Sequence, residues 1–327
     1  MKYRLVTRSD FDGLVCAVLL RVLDLTDDIM FVHPKDVQDG VVEITDRDIL
    51  TNLPYDARAH LVFDHHHSET IRNEGDERTN HVIDADAPSA ARVIYDYYGG
   101  AERFPEVSDD LMRAVDQADA AQYELHDILD PQGWTLLNFL MDSRTGLGRF
   151  REFRISNYQL MMLLIDACIQ MASVDEILEL KDVAERAEMY RECSALFVEQ
   201  LRRVSRVEGD VVIVDYRNED TLMAGNRFMI YALYPEARVS VHCIWGRNKV
   251  NTVFACGKSI LDRTSPVDIG SVMLKYGGGG HLAAGTCQVP HEESARVERE
   301  IIEALKTPQA ALFKGFVTTA AAAAKAA

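Results

Sequence analysis

Paired cysteines, an excess of basic charge and a long apolar run are all missing from this chain. Its six cysteines (Cys16, Cys168, Cys193, Cys243, Cys256 and Cys287) include no Cys-x-x-Cys pair, and most sit among apolar or small neighbours. That argues against a disulfide framework and fits the reduced thiols of a cytoplasmic protein. The opening Met-Lys-Tyr-Arg-Leu-Val-Thr-Arg has no apolar core of signal-peptide length, and the run at residues 161–165 is far too short to span a bilayer. Neither export nor a membrane is expected. Lys and Arg number 35 against 52 Asp and Glu, a formal charge of −17. Such a surface disfavours a grip on long duplex nucleic acid. To handle phosphate, an acidic protein must concentrate positive charge locally, and bound divalent cations are one means.

The 327 residues are 47% hydrophobic and 27% charged, which suits a soluble chain with enough core for two domains. A short apolar run at Leu5 and Val6 ends in Ser9-Asp10-Phe11-Asp12-Gly13, and residues 14–25 then carry apolar positions at helical spacing. That reads as strand, acidic turn, helix. Apolar runs at 29–32 and 61–63 and helical patterns at 89–98 and 109–118 continue the alternation, so residues 1–130 are expected to form an α/β domain with a mostly parallel sheet. Residues 131–207 show helical periodicity without strand alternation and read as a helical connector. Strand patterns return at 211–214, 239–244 and 250–256, with helical ones at 272–276 and 294–305, so a smaller α/β domain is expected over 208–314. The alanine-rich tail, 315–327, is a good helix former but a more ordinary fraying end than a site.

Asp10-Phe11-Asp12-Gly13 stands where a strand ends and a helix begins, the place where ligand sites gather in open α/β sheets. Two carboxylates two residues apart can both turn an oxygen to a hard cation, with Gly13 letting the chain leave sharply, although the same tetrapeptide also serves as a plain solvated turn. Phe63-Asp64-His65-His66-His67 closes a second apolar run in a chain with only ten histidines. Imidazole nitrogens suit manganese, iron, cobalt or zinc, and a neighbouring carboxylate can orient the ring. Asp46 and Asp119 lie at comparable positions, and each taken alone reads as a surface acid or helix cap.

Taken in order, Asp10-Phe11-Asp12-Gly13, Thr45-Asp46, Asp64-His65-His66 and Ala118-Asp119 resemble the four N-terminal motifs of the DHH phosphoesterase superfamily. The second half adds Gly257-Lys258-Ser259-Ile260-Leu261-Asp262-Arg263-Thr264 and Tyr276-Gly277-Gly278-Gly279-Gly280-His281, which resemble its DHH-associated domain. The likeness spans about residues 3–290, and its nearest flavour is the exopolyphosphatase-related group, alongside RecJ-like exonucleases and nanoRNases.

The resemblance implies that Asp10, Asp12, Asp46, His65 and Asp119 ligate two divalent ions, manganese first and cobalt or magnesium as alternatives, with Asp46 bridging. Asp116 is the open alternative to Asp119. It implies that Asp64 orients the site and that His66 faces the phosphate as an acid or hydrogen-bond donor. One position departs: many members carry a histidine ligand where Arg8 stands here. A guanidinium does not ligate metals. The first cation is then short of a ligand, made up by water or His67, or else Arg8 contacts phosphate. Gly277, Gly278, Gly279 and Gly280 are expected to bare backbone amides to a phosphate ahead of a helix, with Lys258, Arg263 and His281 around them.

The expected activity is hydrolysis of phosphodiester or phosphoanhydride bonds through a metal-activated water. Substrates in reach are a short oligonucleotide, a dinucleotide, a nucleotide or polyphosphate, and a homodimer is compatible with the pattern. The competing reading is a non-catalytic nucleotide- or nucleic-acid-binding protein of the same fold. A zinc hydrolase built on His65 and His67 lacks the His-x-x-x-His spacing of a helical site.

Overall fold

A computed structural model describes residues 2–66, 78–150, 152–170 and 173–306. His67 and the alanine-rich tail lie outside the described residues. The chain divides into two compact units, Met1–Ala195 with Ala224–Arg227, and Leu196–Met223 with Phe228–Ala327. Helices therefore follow the sheet of the first unit as expected, and the greater part of the segment read as a connector packs with that unit.

The first unit opens with β1 (Tyr3–Thr7), α1 (Phe11–Val22), β2 (Thr26–Phe31), α2 (Pro34–Gln38), β3 (Asp48–Thr51), β4 (Leu61–Asp64) and β5 (His81–Ile83). All four pairings are parallel, in the order β2-β1-β3-β4-β5. The chain leaves β1 for one neighbour, returns to the other side for β3, and then proceeds outward. That reversal makes the carboxyl ends of β1 and β3 the topological switch point, where the connections part and leave a crevice.

Leu5 and Val6 fill the middle of β1 with no exposure, and α1 is buried all round from Phe11 to Leu20. A helix apolar on every face must be covered on every face. It packs against α3 (Ala90–Tyr97), α4 (Asp109–Asp119) and, beyond α5 (Leu125–Leu129) and α6 (Gly133–Met141), α7 (Asn157–Gln170). Its start is fixed by Asp10, whose Oδ1 accepts from the Gly13 amide at 3.0 Å. Gly13 is required for close approach rather than for a sharp exit, since a Cβ there would stand 2.1 Å from the Arg8 carbonyl oxygen. Helices α8 (Val174–Glu179) and α9 (Lys181–Val204) follow.

The second unit holds β6 (Ser205–Glu208), β7 (Val211–Asp215), α10 (Met229–Leu233), β8 (Val239–Trp245), β9 (Asn251–Lys258), α11 (Ile269–Leu274), β10 (Gly279–His281), β11 (Ala284–Pro290) and α12 (Ser294–Leu305). Its sheet runs β10-β11-β9-β8-β7-β6, with β7 and β8 parallel and the other pairs antiparallel. Val211, Val241, Phe254 and Cys287 from the strands pack with Ile269, Met273, Ile301 and Leu305 from α11 and α12. The glycine run does not lead into a helix, as the sequence suggested. It follows α11 and enters the β10–β11 hairpin, where the Gly280 and His281 carbonyls lie against Gly270 at the start of α11.

Candidate metal centre

The ends of β1 and β4 and the last turn of α4 bring Asp12, His65 and Asp119 together, with one ligand atom from each lying within 4.8 Å of the others. Asp12 is 2% exposed at the start of α1. Its oxygens accept from the amides of Ala90 (3.1 Å) and Ala91 (2.8 Å) at the start of α3. An ionised carboxylate has about four lone-pair sites, so two of them used on amides leave room for a cation. His65 stands with Nδ1 3.3 Å from the Ala87 carbonyl oxygen, an arrangement that keeps the proton on Nδ1 and the Nε2 lone pair toward the cluster. That Nε2 is 3.0 Å from Asp119 Oδ2, yet it is buried with no hydrogen bond of acceptable geometry. Two ligand atoms that close without a proper bond between them suit a shared cation.

The charges point the same way. Burial, with Asp119 and Asp10 close by, pushes the Asp12 carboxyl up to about 8. Burial opposes charge on the His65 ring, but Asp119 and Asp12 lift it to about 9. Asp10 is raised by burial, against the pull of Arg8, whose Nε lies 3.0 Å from Asp10 Oδ2. Positive charge on His65 holds Asp119 low while Asp10 and Asp12 stay raised, and a hard or borderline cation would suit this oxygen-and-imidazole donor set in place of that proton.

Asp64 is fully buried and its Oδ1 accepts from the amides of His65 (2.9 Å) and His66 (3.3 Å) and from His66 Nδ1 at 2.6 Å. It thus orients His66, while His65 is oriented by a carbonyl. Asp116 is engaged elsewhere, with Oδ1 accepting from Ser89 Oγ (2.8 Å) and Oδ2 from Arg92 Nη2.

Asp46 does not join the cluster. It lies exposed in the turn before β3, at the amino end of the sheet, whereas the other residues follow the carboxyl ends of their strands or sit beside them. The buried acid at that end is Asp48, which takes a two-pronged ion pair from Arg4 at 2.6 and 2.7 Å. In a parallel sheet the two ends of a strand are a strand's length apart, so Asp46 cannot bridge ions held at the other end. The residue just past β3 at the site end is Asn52. Arg144 also escaped the sequence reading: its Nε forks onto Asp142 at 2.7 and 3.0 Å, and its charge acts on Asp10 and Asp119. Nothing in the local sequence around Arg144 distinguishes it from a surface arginine.

In the second unit, β10 pairs with β11, and the glycines there differ in kind. A Cβ on Gly278 would stand 2.2 Å from the Thr286 carbonyl oxygen, and one on Gly280 equally close to that of Ala284. Gly277 turns with φ +73, while a Cβ on Gly279 meets nothing within 4 Å. Lys258 ends β9, with its amide donating to the Ala283 carbonyl (2.8 Å), and His281 is exposed at the end of β10. Arg263 is exposed, with Nε donating to the Ile260 carbonyl at 3.3 Å.

No protein-family model and no curated relative matches the chain. Among solved structures, the pGpG-specific phosphodiesterase PggH from Vibrio cholerae is 58% identical, covering 93% of this chain and 99% of that one with a TM-score of 0.79. Two looser likenesses are CDC45 from Entamoeba histolytica (10% identity, 93% and 95% covered, TM-score 0.47) and RecJ with Mn2+ from Thermus thermophilus (15%, 93% and 52%, 0.42). At that level neither transfers any property to this chain. The likeness to PggH extends through both units, and no described helix is long and apolar enough to cross a membrane. The chain belongs to the DHH phosphoesterase superfamily.

Proposed function

We propose that this protein hydrolyses a linear dinucleotide bearing a 5′-phosphate, pGpG or a close analogue, with manganese as the preferred divalent ion. The observation that carries the reading is the 58% identity to a pGpG-specific phosphodiesterase over nearly the whole of both chains. Water adds to phosphorus, the P–O3′ bond breaks, and pGpG yields two molecules of GMP.

Asp12, His65 and Asp119 would hold the cation, with Asp10 beside them as a further ligand. When bound, it would supply Lewis-acid stabilisation of charge on the phosphoryl oxygens and a more acidic water. The remaining work belongs to the side chains. His66, fixed through Nδ1 by the buried Asp64, is assigned as the proton donor to the leaving 3′ oxygen through its other nitrogen. Arg8 and Arg144 offer fixed positive charge to the phosphate, which explains an arginine where a ligand histidine is common. Lys258, Arg263, His281 and the amides of Gly277, Gly278, Gly279 and Gly280 are assigned to binding a phosphate or base, with Gly279 the member whose missing side chain the fold itself does not require.

The test is turnover of the manganese-loaded protein on pGpG, a cyclic dinucleotide, a mononucleotide and polyphosphate. We expect pGpG to be cleaved fastest, activity to vanish with EDTA, and manganese to restore it. Full turnover after EDTA, or preference for polyphosphate over pGpG, refutes the proposal.

A further inference from the structure

Asn52 is an unexplained buried amide. It comes directly after β3, the central strand of the first sheet, at the switch point, and is 1% exposed. Neither Oδ1 nor Nδ2 has a hydrogen-bond partner among the described residues. Its backbone is held at φ +55, a left-handed conformation that asparagine tolerates better than most residues, and its amide donates to the Phe63 carbonyl at 3.1 Å. Polar atoms at neighbouring positions are committed to one another: Thr51 Oγ1 donates to Thr7 Oγ1 at 2.7 Å. A buried carboxamide with both ends unpaired is costly, and its persistence asks for a partner that protein atoms do not supply.

Strand register says where that partner belongs. β3 pairs with β1 as Val6 to Leu50 and with β4 as Thr51 to Phe63. One step further, Asn52 falls between Arg8 and Asp64, in the row of strand ends that carries the metal cluster. Two other orphaned buried atoms, Asp64 Oδ2 and His65 Nε2, belong to the same row or the residue after it. Unsatisfied polar atoms thus gather at the ends of two adjacent strands, beside Asp12 and Asp119.

We infer that Asn52 is a metal ligand of this site, contributing a neutral carboxamide oxygen from the end of β3. This rests on the metal-dependent reading above and adds a consequence to it. A carboxamide oxygen ligates a hard cation but brings no charge. The centre therefore draws its negative charge from Asp10, Asp12 and Asp119, without a further carboxylate from the central strand, and its affinity for cations is set lower than an aspartate there would set it.

Two variants separate this role from that of a turn residue. Asn52→Gly keeps the left-handed backbone open and removes the amide. Asn52→Asp keeps the shape and adds a charge. The readouts are Mn2+ titration by calorimetry and thermal unfolding of the metal-free protein. Loss of a group that merely supports a ligand usually costs about 10- to 100-fold in metal affinity. Asn52→Gly is accordingly expected to weaken Mn2+ binding by about tenfold or more, with an unfolding temperature equal to or above that of the metal-free wild type. Asn52→Asp is expected to tighten Mn2+ binding, to lower the metal-free unfolding temperature, and to be stabilised by Mn2+ more than the wild type. Wild-type Mn2+ affinity in Asn52→Gly would overturn the inference and leave the metal centre standing. A wild-type protein that binds no Mn2+ would overturn the metal centre itself.

Discussion

The glycine run offers a sharp test, because four adjacent residues that look alike in sequence have different tasks in the fold. Substituting alanine at Gly278 places a Cβ 2.2 Å from the Thr286 carbonyl oxygen and 2.6 Å from the Cys287 Cβ. Non-bonded carbons rest at about 3.5–4.0 Å, so β11 would have to retreat by about 1 Å or the hairpin would open. Overpacking of that kind costs about 1–3 kcal/mol, and at roughly 2–4 °C per kcal/mol the melting temperature should fall by about 2–12 °C. At Gly279 the same Cβ meets nothing within 4 Å, and the residue sits in a strand. Valine is at home there, so Gly279→Val should unfold within about 2 °C of wild type. Its effect should appear in kinetics. If the bare backbone at Gly279 admits the substrate's remote phosphate, kcat/KM on pGpG falls by about tenfold or more, about 1.4 kcal/mol of transition-state binding. A small activated diester such as bis(p-nitrophenyl) phosphate, which reaches only the metal centre, should be cleaved as before. Scanning calorimetry and paired kinetics on the two substrates decide the matter. Equal thermal losses at both glycines, or equal kinetic losses on both substrates, would show that the run acts as one structural unit and that Gly279 has no separate part in binding.

Two more outcomes are set by where the acids and thiols lie. Asp46→Asn should keep native turnover and metal content, since Asp46 is exposed at the far end of the sheet, whereas Asp119→Asn should lose turnover by about 100-fold or more together with bound metal; the pair is read by kinetics and elemental analysis on the same preparations. Burial pushes the thiols of Cys16, Cys243 and Cys256 upward, Cys168 to about 12 and Cys287 to about 11, so native protein at pH 8 should resist iodoacetamide and take up label only after unfolding. Rapid labelling of Cys16, Cys243, Cys256 or Cys287 under native conditions would contradict their burial.

The alternation of strands and helices in the first unit was legible because its core elements are strongly apolar. Leu5-Val6, Leu61-Val62-Phe63 and the apolar helix after Gly13 can hardly be placed other than inside. The position of the candidate site was legible only where an acidic or histidine motif directly follows such a run, as Asp10, Asp12 and His65 do. Asp46 shows where this fails. A turn before a short strand and a turn after one carry the same residue types, and β3, with only Asp48–Thr51, is too brief for its apolar pattern to tell its two ends apart. Only the parallel register with β1 and β4 shows that Thr45-Asp46 stands at the wrong end and Asn52 at the right one. The glycine run misled in a related way. Gly279 and Gly280 have no side chains to alternate, so a strand made of them has no period to read, and the hairpin appears only through its pairing with β11.

Asp12 explains why this site is hard to take apart by mutation. Its carboxylate accepts from two amides at the start of α3 and also stands in the cluster with His65 and Asp119, so the atoms that dock one helix on another are among those proposed to hold the cation. Removing it strands two buried donors, at about 1–3 kcal/mol each, besides removing a ligand, and a dead Asp12→Ala protein could be a poorly folded one. Asp119 differs. Its close polar contact among the described residues is His65, a fellow member of the proposed ligand set, so its loss should fall on metal binding and spare the packing of α1 against α3. The buried carboxylates can serve both the fold and the proposed chemistry because they meet where the sheet reverses its winding: the crevice left there lets helix amides approach Asp12 while its remaining lone pairs stay open to a cation.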